Sequence, residues 1–167
     1  MFTGAAVVMG VTSCGKTTLG EALATALQVR FVEGDKLHPP TNIAKMSSGQ
    51  PLTDDDRWPW LAKVGEQLQG TDGVVASCSS LKRSYRDLIR EKAARPVMFI
   101  HLHGPRQLLA ERIAARKDHF MPPTLLDSQL ATLEMPDAGE NFTTIEIAAP
   151  LDMQVAQATR ALLNWKA

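Results

Sequence analysis

Only two cysteines, one tyrosine and an aromatic share of 5% occur in this chain of 167 residues. The two thiols, Cys14 and Cys78, are too few for a disulfide framework, and neither has the spacing of a zinc site. Reduced thiols and a self-sufficient core point to a cytoplasmic protein. A charge excess is missing too, since 18 basic residues balance 18 acidic ones. That removes the electrostatic footprint expected of a nucleic-acid binder or of a protein held on an anionic membrane. No apolar run approaches the ~20 residues that span a bilayer. The first ten residues are apolar, but no basic segment precedes them and they lead into a glycine-rich loop. They read as a strand and not as a signal peptide.

What remains is an ordinary globular composition, 44% hydrophobic and 22% charged. A chain of this length buries about 70% of its unfolded surface, enough for one domain over residues 1–167 without a metal or disulfide staple. Ala5 to Met9 is a short apolar run ending at a glycine, which suits a central parallel strand buried on both faces. Further strands are predicted at Phe31–Val32, Val74–Ala76, Val97–Leu102 and Thr144–Ile147. Helical spacing covers Thr17–Leu27, about Asp54–Leu68, Leu81–Ala93, 105–116, Leu125–Leu133 and Leu151–Leu163. The proline- and glycine-rich stretch from His38 to Leu52 holds one short helical segment, and residues 39–71 read as an insertion. Strands alternating with helices predict an α/β fold with a doubly wound, five-stranded parallel sheet.

Gly10-Val11-Thr12-Ser13-Cys14-Gly15-Lys16-Thr17 matches G-x-x-x-x-G-K-[ST] at every fixed position. A strand before it and a helix after it give the context the mechanism requires. Backbone N–H groups of such a loop cradle phosphate oxygens, aided by the positive end of the helix. Lys16 would reach the β- and γ-phosphates, and the Thr17 hydroxyl would ligate Mg²⁺. Thr18 follows directly on the loop. Cys14 is either a passive small side chain or, at a helix N-terminus, an oxidisable one. The loop alone fits a kinase, a GTPase, an ATPase motor or a nucleotide switch.

Four further features favour phosphoryl transfer to a small acceptor. Asp35, after Glu33-Gly34 at the end of the second strand, stands where ligands gather in a doubly wound sheet, and a carboxylate there can take a hydroxyl proton. Lys82, Arg86 and Arg90 share one helical stripe, an arrangement of like charges that costs local stability. An anionic substrate would explain it, with Arg86 suited to a bidentate carboxylate contact; the alternative is a solvated face with Arg83 paired to Asp87. Asp54, Asp55 and Asp56 read as complements to a helix N-terminus behind an N-cap at Thr53, which leaves Arg57 as a substrate candidate. Arg112 and Arg116 precede a proline-broken segment, about 117–124, that reads as a lid bringing positive charge to the phosphoryl group. His38 and His119 are not assigned as bases.

Together these pieces resemble the gluconokinases, relatives of the shikimate and nucleoside-monophosphate kinases. The resemblance rests on the phosphate loop, Gly34-Asp35-x-Leu37-His38-Pro39, Lys45-Met46, Asp54-x-Asp56-Arg57, and Leu81-Lys82-x-x-Tyr85-Arg86-Asp87. It extends through His119-Phe120-Met121-Pro122, Leu125-Leu126-x-Ser128-Gln129 and Leu133-Glu134-x-Pro136. It implies ATP-dependent phosphorylation of D-gluconate with Mg²⁺, commonly by a homodimer. It also implies that Lys16, Asp35 and Arg116 act in catalysis. Residues 10–18 with Arg112 and Arg116 would hold the nucleotide. Asp35, His38, Arg57, Lys82, Tyr85 and Arg86 would hold the acceptor. Strand three ends Ala76-Ser77-Cys78 without an aspartate, which leaves waters or Asp35 to complete the metal shell.

Overall fold

The structure, a computed structural model, describes residues 1–116 and 123–166. Five strands form one parallel sheet: β1 (Ala5–Met9), β2 (Arg30–Glu33), β3 (Val74–Ser77), β4 (Val97–His103) and β5 (Phe142–Glu146). Among the described residues, seven α-helices surround it: α1 (Lys16–Leu27), α2 (Pro40–Ser47), α3 (Asp54–Gln67), α4 (Arg83–Ala93), α5 (Arg106–Ala115), α6 (Pro123–Thr132) and α7 (Leu151–Asn164). The strand order is β2-β3-β1-β4-β5. The expected α/β architecture is therefore the observed one.

The two-residue period of a strand divides the core. Ala6 and Val8 join Val75, Met98, Ile100 and Leu102 on the face covered by α1, α5 and α7. Ala5, Val7 and Met9 join Val74, Ala76, Val97 and Phe99 on the face covered by α3 and α4. Every residue of β1 is buried, as a central strand of a parallel sheet requires. Trp60, Leu61, Val64 and Leu68 place α3 in that second core, so much of the stretch expected as an insertion covers the sheet. Gly65 allows the close approach of α3 to α4, since a Cβ there would lie 2.7 Å from the Ile89 carbonyl oxygen. A capping box opens α3, with the Thr53 side chain accepting from Asp56 N and the Asp56 carboxylate accepting from Thr53 N.

Four strands differ slightly from expectation: β3 and β4 each run one residue further, to Ser77 and His103. β2 extends to Arg30 and Glu33 because it pairs along its length with Val74–Ser77. β5 begins at Phe142, whose partner is Phe99, and ends at Glu146, one residue before Ile147. The proposed lid falls outside the described residues up to position 122, and so does His119. No described helix is long and apolar enough to cross a membrane.

Candidate active site

The order β3-β1-β4 makes β1 the place where successive connections turn to opposite sides of the sheet. A crevice opens there beyond the carboxyl ends of the strands, and the phosphate loop lies at that point. Gly10 has φ +147°, and a Cβ on it would stand 2.8 Å from Cys14 Sγ and 3.0 Å from the Leu102 carbonyl oxygen. Gly15, at φ +98°, caps α1 in the left-handed region. Ser13 shares that region at φ +62°.

Above the loop is a cavity of about 520 Å³, lined by Thr12, Ser13, Gly15, Lys16, Thr17, Thr18, Asp35, Arg112 and Arg116. That volume suits a small-molecule ligand. Residues far apart in sequence converge in it, from the loop, the second strand's end and α5. Gly10, Val11 and Cys14 lie behind the wall. Cys14 is buried, which favours its packing role over reaction with oxidants.

Lys16 Nζ donates to the Val11 carbonyl at 3.0 Å. Arg112 reaches the Cys14 carbonyl at 3.4 Å and the Ile147 carbonyl at 2.7 Å. Arg116 donates to Ser13 Oγ at 3.3 Å. Both arginines therefore stand at the loop.

The acid nearest the Thr17 hydroxyl is Glu33. Thr17 Oγ1 donates to Glu33 Oε2 at 2.5 Å, and Ser77 Oγ donates to Glu33 Oε1 at 2.6 Å. Sequence reasoning looked for this acid at the end of β3 and missed it at the end of β2. The neighbouring strand supplies Ser77, which anchors the carboxylate instead of providing one. Gly34 N also donates to Ser77 Oγ at 3.3 Å, so the corner carrying Asp35 is tied to β3.

Asp35 follows in a 3-10 turn, Gly34–Leu37, where it is exposed to the cavity. The substrate-side residues continue outward from it. Trp60 Nε1 donates to the Gly34 carbonyl at 2.8 Å, and the His38 ring stacks on Trp60 with centroids 4.0 Å apart. Buried Asn42 joins His38 to the Asp56 carbonyl, which docks α2 against α3. Burial lowers the His38 pKa, Asp35 opposes that shift, and Arg57 adds to it. His38 thus stands within the fields of both Asp35 and Arg57.

Arg57, Lys82 and Tyr85 meet around Asp54. Lys82 Nζ lies 3.1 Å from Asp54 Oδ2, Arg57 NH1 lies 3.5 Å from Oδ1, and the Tyr85 hydroxyl donates to Oδ1. Arg57 also donates to the Tyr85 oxygen at 3.3 Å. The hydrogen bonds from Tyr85 and then Lys82 hold the Asp54 pKa below its ordinary value. Asp54 thus does more than complement a helix terminus: it gathers a tyrosine and two cations. Asp56 behaves as expected, its pKa lowered to about 2 by Lys45 and by the Thr53 backbone.

Arg86 needs correction. Its side chain is fully buried, and it grips Glu140 through Nε–Oε1 at 2.8 Å and NH2–Oε2 at 3.0 Å. NH1 donates to the carbonyls of Ser80 and Leu81. All of its nitrogens are thereby committed inside the protein, so it does not present a fork to the acceptor. The costly stripe is explained by acids distant in sequence: Arg90 also contacts Glu140, at 2.9 Å, and Lys82 contacts Asp54. Arg83 pairs with Asp137 at 2.8 Å, while Asp87 pairs with Arg90 and not with Arg83.

Comparison with known proteins agrees with this geometry. The family model described as shikimate kinase matches residues 12–138. A gluconokinase of Gluconobacter oxydans is 52% identical over 138 residues, 80% of this chain and 77% of that protein. The thermosensitive gluconokinase of Escherichia coli is 39% identical over 163 residues, 94% of this chain and 86% of the relative. The crystal structure of a gluconokinase from Sinorhizobium meliloti 1021 superposes with a TM-score of 0.90 at 52% identity, covering 97% of this chain and 93% of that one. By sequence and by fold, the chain belongs to the shikimate kinase family and, within it, to the gluconokinases.

Proposed function

We propose that this protein transfers the γ-phosphoryl group of ATP to the 6-hydroxyl of D-gluconate. The observation that carries the reading is the convergence of Lys16, Thr17, Asp35, Arg112 and Arg116 on one cavity. A nucleotide binder without an acceptor has no need of an exposed carboxylate facing the phosphate loop, or of the Arg57–Tyr85–Lys82 group beyond it.

The chemistry of the donor set fits a magnesium nucleotide. Gly10 and Gly15 leave room at the loop, and Lys16 holds its ammonium beside it, on the Val11 carbonyl. The Thr17 hydroxyl with the Glu33 carboxylate forms a hard oxygen pair of the kind Mg²⁺ prefers. Bound there, the metal would neutralise charge on the phosphate oxygens. Lys16 would bind the β- and γ-phosphates, with Arg112 and Arg116 adding charge on the far side as the phosphoryl group moves.

Asp35 would accept the hydroxyl proton and orient the oxygen for in-line attack. Arg57 and Lys82, now gathered on Asp54, would turn to the acceptor's carboxylate, and Tyr85 and His38 would hydrogen-bond its hydroxyls.

The test is to supply Mg-ATP with gluconate, other sugar acids, shikimate or nucleoside monophosphates in turn and to follow ADP release. Turnover that depends on gluconate is the expected result. Turnover with another acceptor alone would move the substrate assignment and keep the kinase. Tight ATP binding with no acceptor-dependent release would remove both.

A further inference from the structure

Gln129 lies on α6, 117 residues beyond Thr12 of the phosphate loop, and its side-chain oxygen accepts a hydrogen bond from Thr12 N at 2.6 Å. It belongs to the Ser128-Gln129 pair that the sequence singles out and that the transfer chemistry above leaves without a role. Thr12 lines the cavity, and its N–H shares one peptide unit with the Val11 carbonyl. That carbonyl accepts from Lys16 Nζ at 3.0 Å. A single rigid plane therefore carries Gln129 at one end and the catalytic ammonium at the other.

A trans peptide directs its C=O and N–H oppositely, and the plane turns as a unit about the line joining its Cα atoms. The bond from Gln129 fixes that rotation. Without this acceptor the plane loses that restraint, and the Val11 carbonyl can turn with it. The resting place of Lys16 would move accordingly. Ser13, the next residue, already sits in the left-handed region and carries the Arg116 contact, so displacement of the plane would reach that arginine as well.

We propose that Gln129 is a positioning residue for phosphoryl transfer, acting through the Val11–Thr12 peptide on Lys16 and on the loop wall that faces the terminal phosphate. The role rests on reading residues 10–17 as the nucleotide-phosphate site. It adds a second tether beside the two arginines: Arg112 on α5 and Arg116 just after it hold the loop from one side, and α6 holds it through Gln129. The loop is braced by both helices that flank residues 117–122.

The test compares Gln129→Met, close in shape but without a good acceptor, with Gln129→Glu, which keeps an acceptor oxygen. Amide exchange of Thr12 is read on the free protein. The Gly10 amide, bonded to the Ser79 carbonyl at 3.2 Å, serves as an internal reference. Methionine should speed Thr12 exchange at least about tenfold relative to Gly10 and lower kcat about ten- to a hundredfold, the scale of a misplacement near 1 Å. The KM for gluconate should stay within about twofold. Glutamate should keep Thr12 protected and recover most of kcat, with its charge appearing mainly in the KM for ATP.

Unchanged Thr12 exchange in the methionine variant would overturn the proposal, as would faster exchange with kcat unaltered. If the methionine variant fails to melt cooperatively, the glutamate variant decides. A protected Thr12 with kcat largely kept supports the role, and a protected Thr12 with kcat lost refutes it. The exchange measurement involves no acceptor, so a wrong substrate assignment would leave it standing.

Discussion

Arg86 and Glu140 form a bidentate pair in which neither side chain has solvent exposure, with Nε–Oε1 at 2.8 Å and NH2–Oε2 at 3.0 Å. Their 54-residue separation joins the start of α4 to the segment leading into β5. The same guanidinium holds the Ser80 and Leu81 carbonyls, so the turn just before Lys82 is fixed from below. Removing Arg86 strips the buried Glu140 carboxylate of its bidentate partner and leaves it to the half-buried Arg90. Arg86→Met should therefore destabilise the protein by about 3–5 kcal/mol. For a domain of this size that lowers Tm by roughly 6–20 °C. Thermal melting checks it, and a shift below 2 °C would remove the structural role. At low temperature Arg86→Met should raise the KM for gluconate less than Arg57→Met does.

The pair also sets an acid limit. Burial pushes the Glu140 carboxyl up, but hydrogen bonds from Arg86 and Arg90 outweigh it, and the pKa falls from 4.5 to about 2. A group whose pKa is depressed by folding stabilises the native state fully above its unfolded value. That contribution then disappears as pH falls from about 4.5 through about 2. Asp56, lowered to about 2 by Lys45 and Thr53, contributes in the same direction. Denaturant unfolding followed across that range should show stability dropping with acid, and Glu140→Gln should flatten the drop.

Gly34 is the tightest point between the second and third strands. A Cβ there would stand 2.0 Å from the Ser77 carbonyl oxygen and 3.1 Å from its carbon, which are backbone atoms with little freedom to move. Overpacking of this kind costs about 1–3 kcal/mol or more. Gly34→Ala should lower Tm and reduce kcat together, because separating β2 from β3 displaces both Glu33 and Asp35. An alanine variant with unchanged melting and turnover would contradict the packing described.

How much of this was readable beforehand follows from how far each signal reaches along the chain. The strands and helices were legible within a few residues, since apolar runs and helical spacing are local. The phosphate loop was legible because its function demands particular residue types at four fixed positions within eight consecutive residues. Arg86 was misread for the opposite reason: nothing near it signals Glu140, and a buried arginine shows the same letters as a ligand-binding one. Glu33 was overlooked because the search followed strand three. Only the observed order, with β2 beside β3, sets Ser77 of one strand against Glu33 of the other, whose carboxylate also meets Thr17. The Gln129 contact depends on where α6 packs, which periodicity does not reveal.

Glu33 gives the metal reading its own test. Glu33→Gln keeps the shape and removes the charge: its one oxygen can accept from one of the two hydroxyls, Thr17 Oγ1 or Ser77 Oγ, and its NH₂ can donate to the other, so the corner should stay folded. The Mg²⁺ concentration for half-maximal turnover should rise by about tenfold or more, as when a supporting ligand is lost from a metal site. Chelating the metal should abolish turnover and leave the melting curve of the ligand-free protein unchanged, because the described fold is assembled by its own core. Turnover in Glu33→Gln with an unaltered Mg²⁺ profile would confine Glu33 to orienting Thr17.

Asp35 carries the most demanding assignment. Its position is set by neighbours: Glu33 Oε1 accepts from its backbone N–H at 3.4 Å, Trp60 holds the Gly34 carbonyl, and Ser77 holds the Gly34 amide. These bonds use the backbone and leave the carboxylate exposed to the cavity. Asparagine is nearly the same size and still forms hydrogen bonds, so the corner and the nucleotide site should survive Asp35→Asn. What asparagine cannot do is take a proton from a hydroxyl. General-base catalysis is worth about 10²–10⁴ in rate, so kcat should fall by that factor while ATP affinity stays within about twofold. A purely structural aspartate would instead lower Tm and weaken both substrates together. Steady-state kinetics, ATP titration and melting on one preparation separate the outcomes, and a variant retaining full kcat would take Asp35 out of the transfer step.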